Sequence, residues 1–488
     1  MSKNILLKNV SFQYEKMLEP IFDKINLSIN ENWKLGLIGK NGSGKTTFMN
    51  LLLGNLEFEG VIETPLEFKY FPNYPDDSEN ELTVEILMRR NPGVEPWEIE
   101  KELNLLELQY GLLYQPFSSL SGGEQAKMML LEMFLDKKNF PLIDEPTNNL
   151  DFHGRNLVAD YLNQQSGYIV ISHDEFFLNQ FVDHVLSINK NTIDIIAGDM
   201  NTWRTESENA NKLTTEKNNQ LKKEISRLKE SSQRISHWGN QREKLTNDAS
   251  SRRVAAKQMK RSKAVQKRQK SKIEEKSQLI DNVITTMELE MHVLVPKKRI
   301  ITMRNFSIIR NGQPLFKPIN LELLPEERLF IRGENGVGKS TLLQFILNPA
   351  KFETSGEYDI HIPSKVSFLQ QKSIAKDDYF AFFDSLGKEQ KEVLWRILSE
   401  LGLSRSKFHH FSSQQWSEGE LKKIQIAKSI FDPSELYIWD EVTNYLDIDV
   451  ISQLTNTLQK KMPTMLAVDH NDKFVHEVAT QTLILQKK

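Results

Sequence analysis

The stretch Leu35-Gly36-Leu37-Ile38-Gly39-Lys40-Asn41-Gly42-Ser43-Gly44-Lys45-Thr46-Thr47 decides the fold. It reads as an apolar strand that runs into G-x-x-x-x-G-K-[ST] and then into a helix from Phe48 to Leu53. Gly39, Gly42 and Gly44 let the backbone N–H groups of the loop, those of Asn41 and Ser43 included, turn inward around phosphate oxygens at a helix N-terminus. Lys45 reaches the β- and γ-phosphates. The Thr46 hydroxyl, with Thr47 beside it, is placed for Mg²⁺. Upstream, residues 4–14 and 25–38 read as strands, which gives the loop its strand–loop–helix context.

Working outward, Leu120-Ser121-Gly122-Gly123-Glu124-Gln125 opens a second helix with small residues. Its N-terminus is suited to face a γ-phosphate. Phe140-Pro141-Leu142-Ile143-Asp144-Glu145 is a strand ending in two carboxylates. Asp144 is placed to hold Mg²⁺ and Glu145 to polarise an attacking water. Asn149-Leu150-Asp151 follows. Val170-Ile171-Ser172-His173 is a further strand, ending in a histidine that reaches a γ-phosphate. On its own His173 reads as structural; 28 residues after Glu145, with the other parts present, it reads as catalytic.

The set then repeats. Gly333-Glu334-Asn335-Gly336-Val337-Gly338-Lys339-Ser340-Thr341 is a second phosphate loop, with Ser340 in the place of Thr46. Ser417-Glu418-Gly419-Glu420 stands where Ser121-Gly122-Gly123-Glu124 stood. Asp440-Glu441 ends a second carboxylate strand and His470 a second histidine strand. The offsets are 294 for the lysines, 296 for the serines, 296 for the glutamates and 297 for the histidines. Four motifs on nearly one period mean that a whole domain is duplicated. The expected class is α/β: two tandem P-loop ATPase domains, residues 1–203 and 297–488.

Between them, residues 204–296 are unlike either side. From Asn211 to Ile280 there are 20 Lys/Arg against 7 Asp/Glu, a net +13 in a chain whose total is −3. Such a segment attracts polyanions, nucleic acid first. Leu221, Ile225, Leu228, Ser232 and Ile235 form one helical seam, and Ile273, Ile280, Ile284, Met287 and Met291 a returning one. Turn-like residues fall at His237-Trp238-Gly239-Asn240 and Asn247-Asp248-Ala249-Ser250-Ser251. The expectation is a long antiparallel helical hairpin, about 34 residues per helix and roughly 50 Å long.

Bulk properties exclude several classes. The chain has 488 residues and no cysteine, so it has no disulfide framework and no thiolate metal site. No apolar run approaches the ~18 residues that span a bilayer, and the N-terminus lacks the apolar core of a signal peptide. A cytoplasmic location without a membrane partner is expected.

With both motif sets in hand, the chain resembles the soluble ATP-binding-cassette proteins of the F type. These carry two cassettes on one chain, a charged helical linker and no membrane domain. Within that family it resembles the antibiotic-resistance ribosome-protection group, on Asn32-Trp33-Lys34-Leu35-Gly36, Tyr437-Ile438-Trp439-Asp440-Glu441 and its length. The resemblance implies ATP and Mg²⁺ as cofactors, with Glu145, Glu441, His173 and His470 catalytic. Thr46, Ser340, Asp144, Asp440 and Gln371 would hold the metal. It implies a monomer whose cassettes pair intramolecularly, head to tail, each ATP lying between one cassette's phosphate loop and the other's signature. The implied partner is the ribosome, through large-subunit rRNA and tRNA at the exit site, and not DNA. The linker would then reach toward the peptidyl-transferase centre, where lincosamides, pleuromutilins and group A streptogramins bind.

The sequence departs from the family pattern in places. Asn73 stands where the Q-loop glutamine is usual, whereas the second cassette has Gln371. Tyr14 is placed to stack on adenine, but its counterpart is Arg310. Glu418 replaces a glycine and Val442 a proline. Glu418 reads either as turned to solvent or as making the two sites unequal. A transporter subunit would explain the cassettes but not the basic segment. A coiled-coil DNA-repair ATPase would split each motif set across the coil. A housekeeping translation factor of the same family stays compatible with the motifs.

Overall fold

A computed structural model describes residues 4–15, 20–75, 81–136, 138–148, 150–189, 193–243, 289–370, 382–403, 405 and 416–487. Residues 1–200 and 286–488, which hold both motif sets, make one compact unit, and residues 201–285 make a second.

In the first cassette a six-stranded sheet runs in the order Glu67–Phe71, Asn139–Asp144, Tyr168–Ile171, Lys34–Gly39, His184–Ile188, Ile193–Ala197. All neighbours are parallel except the last pair. Tyr168–Ile171 is buried throughout, as a central parallel strand covered on both faces requires. The register sets Leu37 and Asp144 both opposite Ile171. The phosphate loop, the carboxylates and His173 therefore leave the sheet along one edge, at the carboxyl ends of the strands. A three-stranded antiparallel sheet, in which Asn4–Phe12 pairs with Phe22–Asn30 and Glu59–Glu63, closes the core over Phe48, Phe140 and Leu186.

The second cassette repeats this plan. Five parallel strands run Val366–Leu369, Leu436–Asp440, Met465–Val468, Arg328–Gly333, Gln481–Leu485. Ile331 and Asp440 both lie opposite Val468, so the same edge is built again. Trp439 is fully buried, and its indole N–H donates to Ser429 Oγ at 2.8 Å. The ring thus adds apolar area without an orphaned donor.

The linker differs from its sequence reading in two ways. One helix runs Met200–Glu243, 44 residues, or about 66 Å. It starts earlier than expected and stays helical through residues 237–240. A lone glycine costs a helix only about 1 kcal/mol, too little to end one of this length. Ile225 of the first seam is buried. Met291, assigned to the returning seam, instead sits 1% exposed with Leu289 in the core of the second cassette, and Val293 bridges to Ser434. An apolar side chain at the mouth of a large core gains more by entering it than by extending a seam. The rest of the returning seam, the second turn-like run and the basic residues from Arg252 to Lys270 lie outside the described residues. No helix among the described residues is long and apolar enough to cross a membrane.

Candidate functional site

Each phosphate loop is wound around left-handed glycines. Gly44 and Gly338 precede helices Lys45–Leu52 and Lys339–Leu347 with φ of 101° and 107°. A Cβ at Gly44 would meet Ile21 at 2.7 Å, and one at Gly338 would meet Leu315 at 2.5 Å. Both positions therefore need glycine for backbone and for space. Gly39 and Gly333 turn out of their strands, and Gly42 and Gly336 hold positive φ at the loop tips with open space where a side chain would stand. Lys45 and Lys339 are buried and fold back over their loops, donating to the Gly39 and Gly333 carbonyls at 2.7 Å. Burial pulls both ammonium groups below the usual lysine range, against the pull of Glu145 and Glu441. The Ser43 hydroxyl is buried without a partner, and Val337 fills its place in the second loop. Thr46 is exposed, and Thr341 is half-buried. Ser340 hydrogen-bonds Asp440. Tyr14 is 39% exposed, and its hydroxyl lies 3.2 Å from Thr47 Oγ1.

The signature helices, Gly122–Leu135 and Glu418–Phe431, begin with reciprocal capping boxes. Ser121 accepts from the Glu124 N–H while its own N–H donates to Glu124. Ser417 and Glu420 do the same. The pattern S-x-x-E is legible in sequence and fixes each helix start.

The structure brings these parts together across the cassettes. Gly419 is buried against the first phosphate loop: a Cβ there would stand 2.5 Å from Asn41 Nδ2 and 2.5 Å from the Tyr445 carbonyl. Asn41 Nδ2 donates to that carbonyl at 3.0 Å. On the opposite side Ser121, Gly123, Lys339, Ser340, Thr341 and Arg310 line one cavity of about 1220 Å³. The Asn335 N–H donates to Asp151 of the first cassette at 3.3 Å. The D-loops, Asn149-Leu150-Asp151 and its repeat Tyr445-Leu446-Asp447, diverge at their aspartates. Asp151 caps its helix through Gly154 and crosses to Asn335, whereas Asp447 caps through Val450 and pairs with Lys423 of its own cassette at 2.7 Å. Glu418 is exposed and lines the same cavity as Lys339.

Glu145 and Glu441 both adopt positive φ, 52° and 51°. Such a backbone is rare for a glutamate and concentrates at functional sites. Their carboxylates approach His173 and His470 at 3.6 and 3.7 Å. Asn444 donates to Glu441 at 2.7 Å, and the Tyr70 hydroxyl donates to Asp144 at 2.9 Å. Burial pushes the Glu145 carboxyl up to about 8, reinforced by the charge of Asp144 and opposed by Lys45 and Arg155. Burial likewise raises Asp144 and Asp440. Burial and the nearby lysines hold His173 and His470 down at about 3, so both imidazoles are neutral at pH 7.

Among the described residues, Glu145 Oε1, Asp440 Oδ1 and His470 Nε2 are buried polar atoms without a hydrogen-bond partner. Orphaned polar atoms beside two phosphate cradles, two carboxylate oxygens and an imidazole nitrogen, fit a nucleotide carrying a divalent cation. No group of three or more His, Cys, Asp or Glu able to hold a metal occurs among the described residues. Asn73 is exposed, its carbonyl accepting from Arg90 at 3.0 Å. Gln371 and Asn149 lie outside the described residues. Sequence reading did not single out Tyr70 or Arg155, because no motif contains them and only the fold carries them there, and it passed over Tyr445, which stands in the repeat at the position of Asn149.

The raised Glu145 carboxyl makes stability depend on pH. The unfolded chain releases this proton near the ordinary glutamate value, while the folded chain keeps it to about 8. Its contribution is therefore complete below the unfolded pKa and is lost as pH rises through about 8. Glu145→Gln removes the slope, so its stability relative to wild type should rise from about pH 4.5 and level off above about pH 8. A fifth of the side chain reaches solvent. The gap is accordingly expected on the order of 2 kcal/mol rather than the ~5 of a fully buried acid. Urea unfolding of both proteins at pH 5 and 8.5 measures it, and equal gaps at the two pH values would refute it.

Comparison with known proteins places the geometry. The family described as ABC transporter matches residues 22–148 and 316–444. The chain is 25% identical to the ribosome protection protein VmlR of Bacillus subtilis (strain 168), over 99% of this chain and 87% of that one. It is 26% identical to the probable ATP-binding protein YbiT of Escherichia coli O157:H7, over 98% and 95%. Among solved structures it is similar in fold to the archaeal ribosome recycling factor aABCE1, solved with the ribosomal stalk protein aP1. The TM-score is 0.61 at 16% identity, covering 98% of this chain and 88% of that one.

Proposed function

The chain belongs to the ABC-F family of ATP-binding-cassette proteins, and from that premise we propose that it is an ATP hydrolase that binds the ribosome and protects it from drugs at the peptidyl-transferase centre. The observation that carries the ATPase reading is the cross-cassette pairing: Gly419 on the first phosphate loop, and Ser121 and Gly123 in one cavity with Lys339. The ribosomal half rests on the relative named a ribosome protection protein, matched over 99% of this chain.

The chain's own groups divide the work. The loop N–H groups of residues 41–46 and 335–340 would cradle the β-phosphate, and Lys45 and Lys339 the γ-phosphate. The helix start at Ser121 or Ser417 would add N–H donors from the opposite cassette. Glu145 and Glu441 would accept hydrogen bonds from the attacking water, and the neutral His173 and His470 would orient the γ-phosphate. Mg²⁺ held by Thr46 with Asp144, and by Ser340 with Asp440 and Gln371, would neutralise charge on the β- and γ-oxygens. Closure would fit the ribosome site where deacylated tRNA leaves, and hydrolysis would reopen the cassettes and release the protein. Residues 1–203, 204–296 and 297–488 would act as cassette, basic linker and cassette.

A drug-susceptibility panel in a sensitive host tests the reading, using lincosamides, pleuromutilins and group A streptogramins. Expression should raise the inhibitory concentration of at least one class. Normal ribosome binding with no change in any class would leave a translation factor and remove the protective role. Within the linker two defects should separate. Charge reversal along Arg252, Arg253, Lys257, Lys260 and Arg261 should weaken ribosome binding, increasingly so as salt rises. Shortening the tip, about His237 to Ser251, should abolish protection while binding and ATPase stay near normal. Full protection by the shortened protein would reduce the linker to an anchor.

A further inference from the structure

Arg155, in the helix Phe152–Gln164 of the first cassette, belongs to none of the motifs, yet it reaches the catalytic edge of the second. Its side chain is 12% exposed. Nη1 donates to the main-chain carbonyl of His470 at 3.2 Å and to Asp174 Oδ2 at 3.3 Å, and Nε donates to the Leu150 carbonyl at 3.3 Å. One guanidinium therefore ties its own D-loop, the residue after His173 and the opposite cassette's histidine into one network. His470 is 6% exposed, and its Nε2 is buried without a hydrogen-bond partner, 3.7 Å from Glu441. Nε2 thus contributes no bond that places the ring, and the hold on the residue's main chain sets where that nitrogen stands.

The pseudo-symmetric position carries no such group. Asp151 and Asp447 cap equivalent helices, so the counterpart of Arg155 is Ile451, which packs in the hydrophobic core of the second cassette. The histidine of the site holding Lys339 is braced from across the interface, whereas among the described residues no side chain of the second cassette donates to the main-chain carbonyl of His173. Asp151, four residues before Arg155, reaches Asn335 of the same site. The segment 151–155 thus touches that site twice, at its phosphate loop and at its histidine.

We propose that Arg155 is a positioning residue that acts in trans, holding His470 at the reacting end of the site formed by Lys339 and Ser121. The inference rests on the ATPase reading. An arginine suits the role because its planar fork serves three oxygens at once from a buried position and keeps its charge. A brace on the histidine acts on the reaction and not on nucleotide affinity. A small displacement of a reacting group costs rate steeply, whereas the phosphate cradle stays intact.

The test uses the full-length chain with Arg155→Met, Arg155→Lys and Arg155→Met/Asp174→Asn; the last removes the carboxylate that the first leaves unpaired. Arg155→Met should lower kcat about tenfold, with mant-ATP affinity within about twofold of wild type. Arg155→Lys should fall between, since an ammonium donates to one carbonyl but cannot span all three. The double variant should keep the loss in kcat with wild-type Tm, which separates positioning from folding. In a His470→Ala background Arg155→Met should add no further loss, because the group it positions is gone. Unchanged kcat in Arg155→Met overturns the proposal, as does a parallel fall of kcat, affinity and Tm in the double variant, or a full further loss on top of His470→Ala. A wild-type chain that binds ATP without hydrolysing it is a different result: it removes the ATPase reading itself.

Discussion

Replacing Glu145 and Glu441 together by glutamine is expected to lower ATP turnover by about 10²–10⁴-fold while leaving nucleotide binding in place. Each glutamate stands at the end of its strand with its N–H bonded to the neighbouring histidine strand, at 2.9 and 2.7 Å, so the backbone is held independently of the side chain. Glutamine matches glutamate in volume and keeps one carbonyl oxygen, and the Asn444 amide still finds an acceptor at position 441. What disappears is the carboxyl group, which can take a proton from water once ionised, as an amide cannot. Phosphate loops and signature helices are untouched, so the doubly substituted chain should close on ATP and remain closed. On the proposed function it should sediment with ribosomes in ATP and stay there. Turnover within a few fold of wild type would move the catalytic role off these residues. A variant found free of ribosomes in ATP would sink the link between closure and ribosome binding.

Gly419→Ala should abolish the pairing of the first phosphate loop with its signature helix, lowering ATPase activity at least tenfold, about 1.4 kcal/mol of lost transition-state binding. The added methyl would stand 2.5 Å from Asn41 Nδ2 and 2.5 Å from the Tyr445 carbonyl, both closer than carbon tolerates. The asparagine can swing away, but it then abandons its bond to that carbonyl. The carbonyl cannot swing, because it is main chain in a turn where Tyr445 itself holds a φ of 64°. Tyr445 and Gly419 belong to the same cassette, so the relief left is a shift of the signature helix against its own turn, which carries position 419 off the first phosphate loop. The helix itself should not suffer, since alanine favours a helix over glycine by about 0.5–1 kcal/mol. Lost ATPase with a fall in Tm too small to unfold the chain at assay temperature is the expected signature, read by calorimetry and phosphate release. Wild-type turnover in this variant would mean that the two surfaces need not meet.

The two-cassette α/β fold was legible because each motif carries its own context. A buried strand feeds a glycine turn, the glycine turn feeds a helix, and the period near 296 residues copies the set. The signature helices were expected where small residues follow Ser121, and the capping boxes that fix their starts, also written in the sequence, were not used for that reading. Other features were not, each for a physical reason. Tyr70 and Arg155 act through tertiary position, and sequence spacing holds no record of it. Met291 continues the returning seam by spacing alone, yet a core adjacent in space claimed it. Residues 237–240 have turn composition, but a glycine inside a long helix is outvoted by the neighbours on either side. The divergence of Asp151 from Asp447 is invisible in their identical caps and is decided by the choice between Asn335 across the interface and Lys423 at home.

That divergence has a consequence for how the chain can vary. A dimer of identical cassettes is bound by two-fold symmetry, so any substitution enters both sites at once and must be tolerated in both. Here both halves are encoded in one polypeptide, and each residue exists once. A guanidinium at 155 faced by isoleucine at 451, or an aspartate bound across the interface at 151 and at home at 447, breaks the symmetry without a second gene. One site is free to keep the chemistry while the other drifts toward holding or timing, and selection on the two halves can be read separately, position by position.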